Sequence, residues 1–334
     1  MATLREVADR AGVSLGTAST VFSGGQAVSA GRRAAVLHAA TLLGYEPQGS
    51  ARRRLRAAVV SSAAVAGLVA DPFYGEVLAG VEAGLAARGA TEVVFRALGH
   101  PVRGSRREDM PQVAILLGIT PSAHTRAYCR GLARHTSVVS IDELLTDCGS
   151  NSVITDDRTA MIQVVQRLSA LGYQRLMVVR GPQHFSSFRA RYQGALEGLR
   201  ACGIPEPRCL TIDAPATFDG GREAARPVVA GLHGPRLAVM TANDMQALGL
   251  LAEAQAHGQR VPDDLAVVGF DDVAGAAAST PSLSTVRTPR RLMGQLAVHL
   301  ALECRDMSDP PPTVVSVAPM FIERGSTTSL RRRG

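Results

Sequence analysis

Lysine is absent from this 334-residue chain, and all 36 of its basic residues are arginine. Every positive side chain is therefore a permanently charged planar fork, suited to bidentate contacts with phosphate and guanine. Cysteine is scarce. The five residues at 129, 148, 202, 209 and 304 form no CxxC pair and no zinc-like spacing with histidine, which argues against a metal site or disulfide framework and for reduced thiols in a cytoplasm. Long apolar runs are missing as well. The uncharged stretch Ala57 to Ala70 is too short and too broken by serine to span a bilayer, so no membrane partner is expected. The chain opens on an amphipathic helical pattern charged at Arg5, Glu6, Asp9 and Arg10, and does not read as a signal peptide. Catalytic signatures are absent too: there is no GxGxxG after a strand, no P-loop, no HExxH and no GxSxG. The Asp pairs at 156–157, 263–264 and 271–272 fall at strand or helix ends, where solvated loops are the ordinary expectation. No catalytic residue, metal or cofactor is assigned.

What is present begins at Thr3, whose hydroxyl can cap a first helix while Glu6 completes a capping box. Leu4, Val7, Ala8 and Ala11 share one helical face. Gly12 supplies a tight, left-handed turn, and Ser14 is placed to cap a second helix with Thr17, Ala18 and Val21 near a three-helix core. The spacing predicts a third helix over 31–43 that buries Ala35, Val36, Ala39 and Leu42 and stops at Gly44, with Pro47 beyond. Such a helix-turn-helix presents the start of its second helix to the major groove of DNA. Charge agrees. Residues 1–57 hold eight Arg against Glu6, Asp9 and Glu46, a net +5 of the chain's +7, and the remainder is nearly balanced apart from Arg331–Arg333.

The stretches TLREVADRAGVS (3–14), VSAGRRAAVLHAATLLGYEP (28–47), ANDMQALG (242–249), VPDDLAVVGFDDV (261–273) and PSLSTVRTP (281–289) occur in the order typical of LacI-type transcriptional regulators, and the chain resembles that family over essentially its whole length. The resemblance implies an all-α helix-turn-helix headpiece over 1–48 and a hinge helix over 49–58. It further implies an α/β core over 59–330 like the periplasmic sugar-binding proteins, with two doubly wound parallel-sheet lobes. Lobe 1 is expected at about 59–156 and 289–316, lobe 2 at about 157–288 and 317–330. The implied function is regulation, as a repressor, of a pseudo-palindromic double-stranded operator by a homodimer. A small ligand, a sugar or related metabolite, would bind between the lobes and modulate operator affinity. A regulator that has lost sugar sensing is the alternative. No heptad pattern follows the core to support a coiled-coil tetramer.

Carried onto this sequence, the DNA contacts implied are Thr3, Ser14, Leu15, Gly16, Thr17, Thr20, Ser29, Arg32, Arg33, Arg52, Arg54 and Leu55. The effector contacts implied are Phe73, Tyr74, Asp142, Arg189, Asn243 and Asp271. An arginine, two carboxylates and an amide facing a dry cleft could hold several hydroxyls or one anionic group. Asn243 and Asp271 have an alternative role, as caps of strand-to-helix loops. From residue 60 on, alternating patterns predict strands near 63–69, 92–95, 113–117 and 137–140 in lobe 1. They predict 152–155, 176–179, 210–212, 237–240 and 266–269 in lobe 2, with three crossovers between lobes.

The chain departs from the family pattern in places. Leu15 and Gly16 stand at the two base-reading positions, where bulky or polar side chains are usual, and Thr20 stands where Arg or His is usual. Loss of those groups weakens or changes a readout worth ~1–3 kcal/mol per good contact. Ser23 replaces the usual Asn. At the hinge, either Leu55 wedges a base step or Arg54 enters a narrow minor groove instead. Between His100 and Gln112 the usual amphipathic helix gives way to a short charged segment, which leaves a face of lobe 1 without its expected layer.

Overall fold

The computed structural model describes residues 2–22, 28–45, 55–99, 110–204, 209–230, 237–307 and 310–327. The expected arginines Arg52 and Arg54, Ser23, and the charged segment at 100–109 lie outside them. The chain divides into two compact units, Met1–Leu55 and Arg56–Gly334.

The first unit holds α1 (Leu4–Ala11), α2 (Leu15–Phe22) and α3 (Ala30–Leu43). Its capping box is formed: Glu6 N–H donates to Thr3 Oγ1 at 3.3 Å, and Thr3 N–H donates to Glu6 Oε2 at 2.6 Å. The Thr3 N–H and, at 3.1 Å, the Thr3 hydroxyl both donate to the Glu6 carboxylate and pull it below its ordinary pKa. Gly12 sits at φ +65°, the left-handed conformation that glycine adopts without steric cost. Ser14 caps α2 by accepting from Thr17 N–H at 3.1 Å. Val7, Ala8, Ala18, Val21, Val36, Ala39 and Ala40 form the core. Two of the expected core residues of α3 are exposed, Ala35 and Leu42, the latter at 56%. The buried stripe instead runs Val36, Ala39, Ala40 and, half-buried, Leu43, because the i, i+3, i+4, i+7 set starts one residue later than the sequence reading placed it.

In the second unit the chain forms β1 (Leu55–Ser61), α4 (Val65–Ala70), α5 (Pro72–Ala87), β2 (Ala90–Ala97), β3 (Val113–Leu116), α6 (Ala123–Ala133), β4 (Ser137–Ile141) and β5 (Asn151–Thr155). It continues through α7 (Asp157–Ala170), β6 (Arg175–Arg180), α8 (Ser186–Ala201), β7 (Cys209–Asp213), α9 (Phe218–Ala230), β8 (Leu237–Thr241), α10 (Asp244–Ala256) and β9 (Leu265–Val268). The last elements are α11 (Ala274–Ala278), β10 (Thr285–Arg287), α12 (Arg290–Arg305), β11 (Val314–Val317) and β12 (Met320–Ile322). One six-stranded sheet has the order β11-β5-β4-β3-β1-β2 and a second has the order β7-β6-β8-β9, while β10 and β12 form an antiparallel pair. The strands β1, β3, β4, β5 and β11 pair in parallel, as do all four of the second sheet. The chain passes between the sheets after β5, before α12 and after β11.

Three expectations are corrected here. The strand expected at 63–69 is β1, and 65–70 is a short helix. The run Ala57–Val60 is the stretch buried on both faces, as an interior parallel strand requires. Residues 55–58, expected in the hinge helix, belong to β1, and Leu55 is buried rather than presented as a wedge. The strand at 152–155 joins the first sheet, not the second, by pairing with β4 and β11.

Helix pairs in this unit meet at glycine. A methyl at Gly80 or Gly294 would overlap the backbone of α12 or α5, and one at Gly194 would overlap the backbone at Arg158 on α7. These small residues let axes approach closely, which holds the layers that carry the cleft.

Candidate functional site

At the headpiece, Leu15 is 47% exposed and Gly16 is exposed beside it, which opens the N-terminal turn of α2 to solvent. Thr17 Oγ1 pairs with Ser14 Oγ at 2.8 Å, and Thr20 Oγ1 donates to the Gly16 carbonyl at 2.8 Å. Ser29 stands at the start of α3 with its hydroxyl not used as a cap. Arg32 is exposed, whereas Arg33 is half-buried and donates to the Val21 carbonyl at 3.5 Å, tying α3 to the end of α2.

In the second unit a cavity of about 150 Å³ opens at the carboxyl ends of the strands, where ligands bind in sheets of this kind. Asp142 follows β4, Asn243 follows β8, Asp271 follows β9, and Phe73 and Tyr74 lie in the first turn of α5; all five line the cavity. Phe73 and Tyr74 pack edge to face with centroids 5.1 Å apart. Asp71 fixes that turn by accepting from Phe73 N–H and Tyr74 N–H at 2.8 and 3.1 Å. Asp142 and Asp271 both have positive φ, +67° and +107°, and Asp271 N–H is anchored on the Val286 carbonyl at 2.8 Å.

Arg189 does not reach the cavity. Its exposed guanidinium donates to the carbonyls of Gln183 and His184, both at 2.8 Å. The arginine in the cleft is Arg191, two residues on and 5% exposed. It donates to the Ala242 carbonyl at 2.6 Å, to Asp157 Oδ2 at 3.2 Å and to Asp271 Oδ1 at 3.3 Å. Its guanidinium carbon lies 3.7 Å from the centroid of the Phe270 ring. Burial works against the Arg191 charge, but Asp157, Asp271 and Asp142 outweigh it and hold the pKa above the ordinary arginine value. Burial likewise holds the carboxyls of Asp157 and Asp271 above the usual range against the pull of Arg191. Asp142 is pushed by burial up to about 7, and Ser187 Oγ, at 3.5 Å, gives it only a long hydrogen bond.

Comparison with known proteins settles the class. Residues 3–48 match the family model described as bacterial regulatory proteins, lacI family, and residues 165–327 match a periplasmic binding protein-like domain. The HTH-type transcriptional regulator reg1 of Streptomyces lividans is 31% identical over 346 residues, covering 98% of this chain and 96% of that protein. CelR of Thermobifida fusca is 30% identical over 350 residues, covering 97% and 98%. A solved complex of CelR with cellobiose superimposes with a TM-score of 0.70 at 29% identity, covering 98% of this chain and all of that one. The chain belongs to the lacI family.

It is thus a DNA-binding transcriptional regulator, and its relatives are regulators rather than enzymes. Among the described residues of this lacI-family chain, no helix is long and apolar enough to cross a membrane, and no group of three metal-ligating side chains is gathered. Asn243 does cap α10: its Oδ1 accepts from Gln246 N–H at 2.9 Å and its Nδ2 donates to the Ala216 carbonyl at 3.0 Å. It lines the cavity with its polar atoms already engaged. Asp271 is instead an ion-pair partner of Arg191.

The cleft of this lacI-family regulator also contains residues that the sequence reading did not select: Arg191, Phe188 and Asp244, with Asp157 behind them. Asp244 is fully buried, accepts from Val273 N–H at 2.7 Å and Thr285 Oγ1 at 2.5 Å, and is pushed by burial up to about 7. A signal for Arg191 was available. The buried face of α8 runs Ser187, Arg191, Gly194, Ala195, Gly198 and Leu199, so Arg191 is in phase with the small residues and Arg189 is not.

Proposed function

We propose that this regulator binds a pseudo-palindromic operator as a homodimer and that an uncharged polyhydroxylated ligand, a sugar or related metabolite, modulates that binding from the cleft. The observation that carries the ligand assignment is the Arg191–Asp271 pair beside Asp142, walled by Phe73, Tyr74 and Phe188 at the carboxyl ends of both sheets. Carboxylates and a guanidinium accept and donate to hydroxyls through charge-assisted bonds, and aromatic rings cover the apolar face of a sugar. Because three protein groups already engage Arg191, the arrangement favours a neutral ligand over an anion. The solved likeness of CelR with cellobiose supports the same class.

On the DNA side, Leu15, Gly16, Thr17 and Thr20 face the bases, while Thr3, Ser14, Ser29, Arg32 and Arg33 contact phosphates. Arg52 and Arg54 continue the positive stretch toward the minor groove. The protein acts in the cytoplasm, where its DNA is, and performs no catalysis.

Fluorescence anisotropy of a duplex enriched by the full chain tests the reading, with and without neutral mono- and disaccharides. A ligand should shift operator affinity about 5- to 150-fold, the range of ordinary coupling energies, in the parent and not in Asp271→Asn. DNA binding indifferent to every sugar would favour the alternative, a regulator that has lost sugar sensing.

A further inference from the structure

Two side chains outside the cavity lining join the walls of the cleft. Glu143 follows β4 on the first-sheet side and is 4% exposed. Its Oε2 accepts from Ser186 N–H at 3.0 Å, at the first residue of α8 on the second-sheet side. The helix's own N-cap position is Phe185, which offers no side-chain acceptor, so the exposed amide dipoles of α8 are met by a carboxylate from the other sheet. Leu144 N–H adds a bond to Ser186 Oγ at 3.4 Å.

Arg290, the first residue of α12, does the corresponding work elsewhere. Its Nη1 donates to the Pro72 carbonyl at 2.8 Å and its Nη2 to the Asp272 carbonyl at 2.9 Å. Pro72 immediately precedes Phe73 and Tyr74, and Asp272 immediately follows Asp271, so one guanidinium bridges the backbone beside cavity residues of both walls.

We propose that Glu143 and Arg290 form a two-point clasp across the cleft and so set its closure equilibrium. They are positioning residues. An opening motion that separates the sheets must break both contacts together, so weakening either one raises the open population at both. Loss of a helix-capping acceptor corresponds to roughly a five- to tenfold change in such an equilibrium. The clasp concerns the proposed ligand site, but its test contains no ligand and so stands or fails separately from that reading.

Hydrogen exchange measured by mass spectrometry on the ligand-free full chain decides the matter. Glu143→Ala should speed exchange roughly five- to tenfold in peptides covering 185–191 and also in those covering 72–76, where Glu143 makes no contact. Arg290→Ala should do the same in reverse, reaching the first turn of α8. Glu143→Gln keeps an acceptor and should restore near-parental exchange. If each variant speeds exchange only beside its own contact, or neither changes it, the clasp is overturned. Should Glu143→Ala fail to fold, Arg290→Ala alone still decides, through the exchange of α8.

Discussion

The guanidinium of Arg191 sits over Phe270 with its central carbon 3.7 Å from the ring centroid, and the residue after that phenylalanine, Asp271, is one of its ion-pair partners. A buried ion pair contributes little net stability, because desolvation offsets the attraction, but removal of one partner strands the other charge.

Arg191→Ala should therefore destabilise the second unit by about 3–5 kcal/mol, since Asp157 and Asp271 lose their common partner. Arg189→Ala, whose side chain is exposed, should stay within about 0.5 kcal/mol of the parent. Urea unfolding of the two variants checks the assignment, and equal losses would count against it.

Asp142 gives a pH dependence of definite sign. Its carboxyl is raised by burial to about 7 from an ordinary 3.8, so the folded state penalises the ionised form. The penalty is absent below the unfolded pKa, grows as pH climbs between the two values, and is complete above the folded one. Asp142→Asn, which cannot ionise, should gain in melting temperature relative to the parent as pH is raised from about 5 to 8. A difference that does not vary with pH would contradict this.

The close approach of α5 and α12 makes Gly294→Ala costly. The added methyl meets the Val77 carbonyl oxygen and the backbone at Gly80, which are not free to move. A loss of about 1–3 kcal/mol is expected from overpacking, read by thermal or denaturant unfolding. Gly131→Ala, with open space around it, serves as the tolerant control.

Exposed Arg32 should act as a phosphate contact. Arg32→Ala then weakens binding to all duplexes alike and reduces the slope of log affinity against log salt by about 0.9. An unchanged slope, measured by anisotropy across a salt series, would remove Arg32 from the interface.

The capping box at Thr3 and the turn at Gly12 follow from residue type and spacing alone. Asp142, Asn243 and Asp271 come instead from the resemblance to the family, and the structure sets them after strands at the cavity, with Asn243 as the cap of α10. Arg189 comes from the resemblance to the family, whereas helical phase against Gly194 and Gly198 points to Arg191. Leu55 is expected at the hinge because it lies one place after the position, here Arg54, where the family presents its minor-groove leucine. Its burial follows from where β1 begins, and the apolar stretch running on through Ala57 and Ala70 left that boundary open. Membership of β5 in the first sheet depends on pairing with β11, more than 150 residues away, and no local pattern encodes it.

The central claim is that the headpiece reads DNA in a paired, sequence-specific way despite Leu15 and Gly16. Selection of randomised duplex DNA by the full chain at physiological salt tests it most directly. The account predicts enrichment of a palindrome with two half-sites, lost on Gly12→Ala, which strains the turn between α1 and α2. Enrichment of no common sequence, or of a single unpaired site, would contradict it.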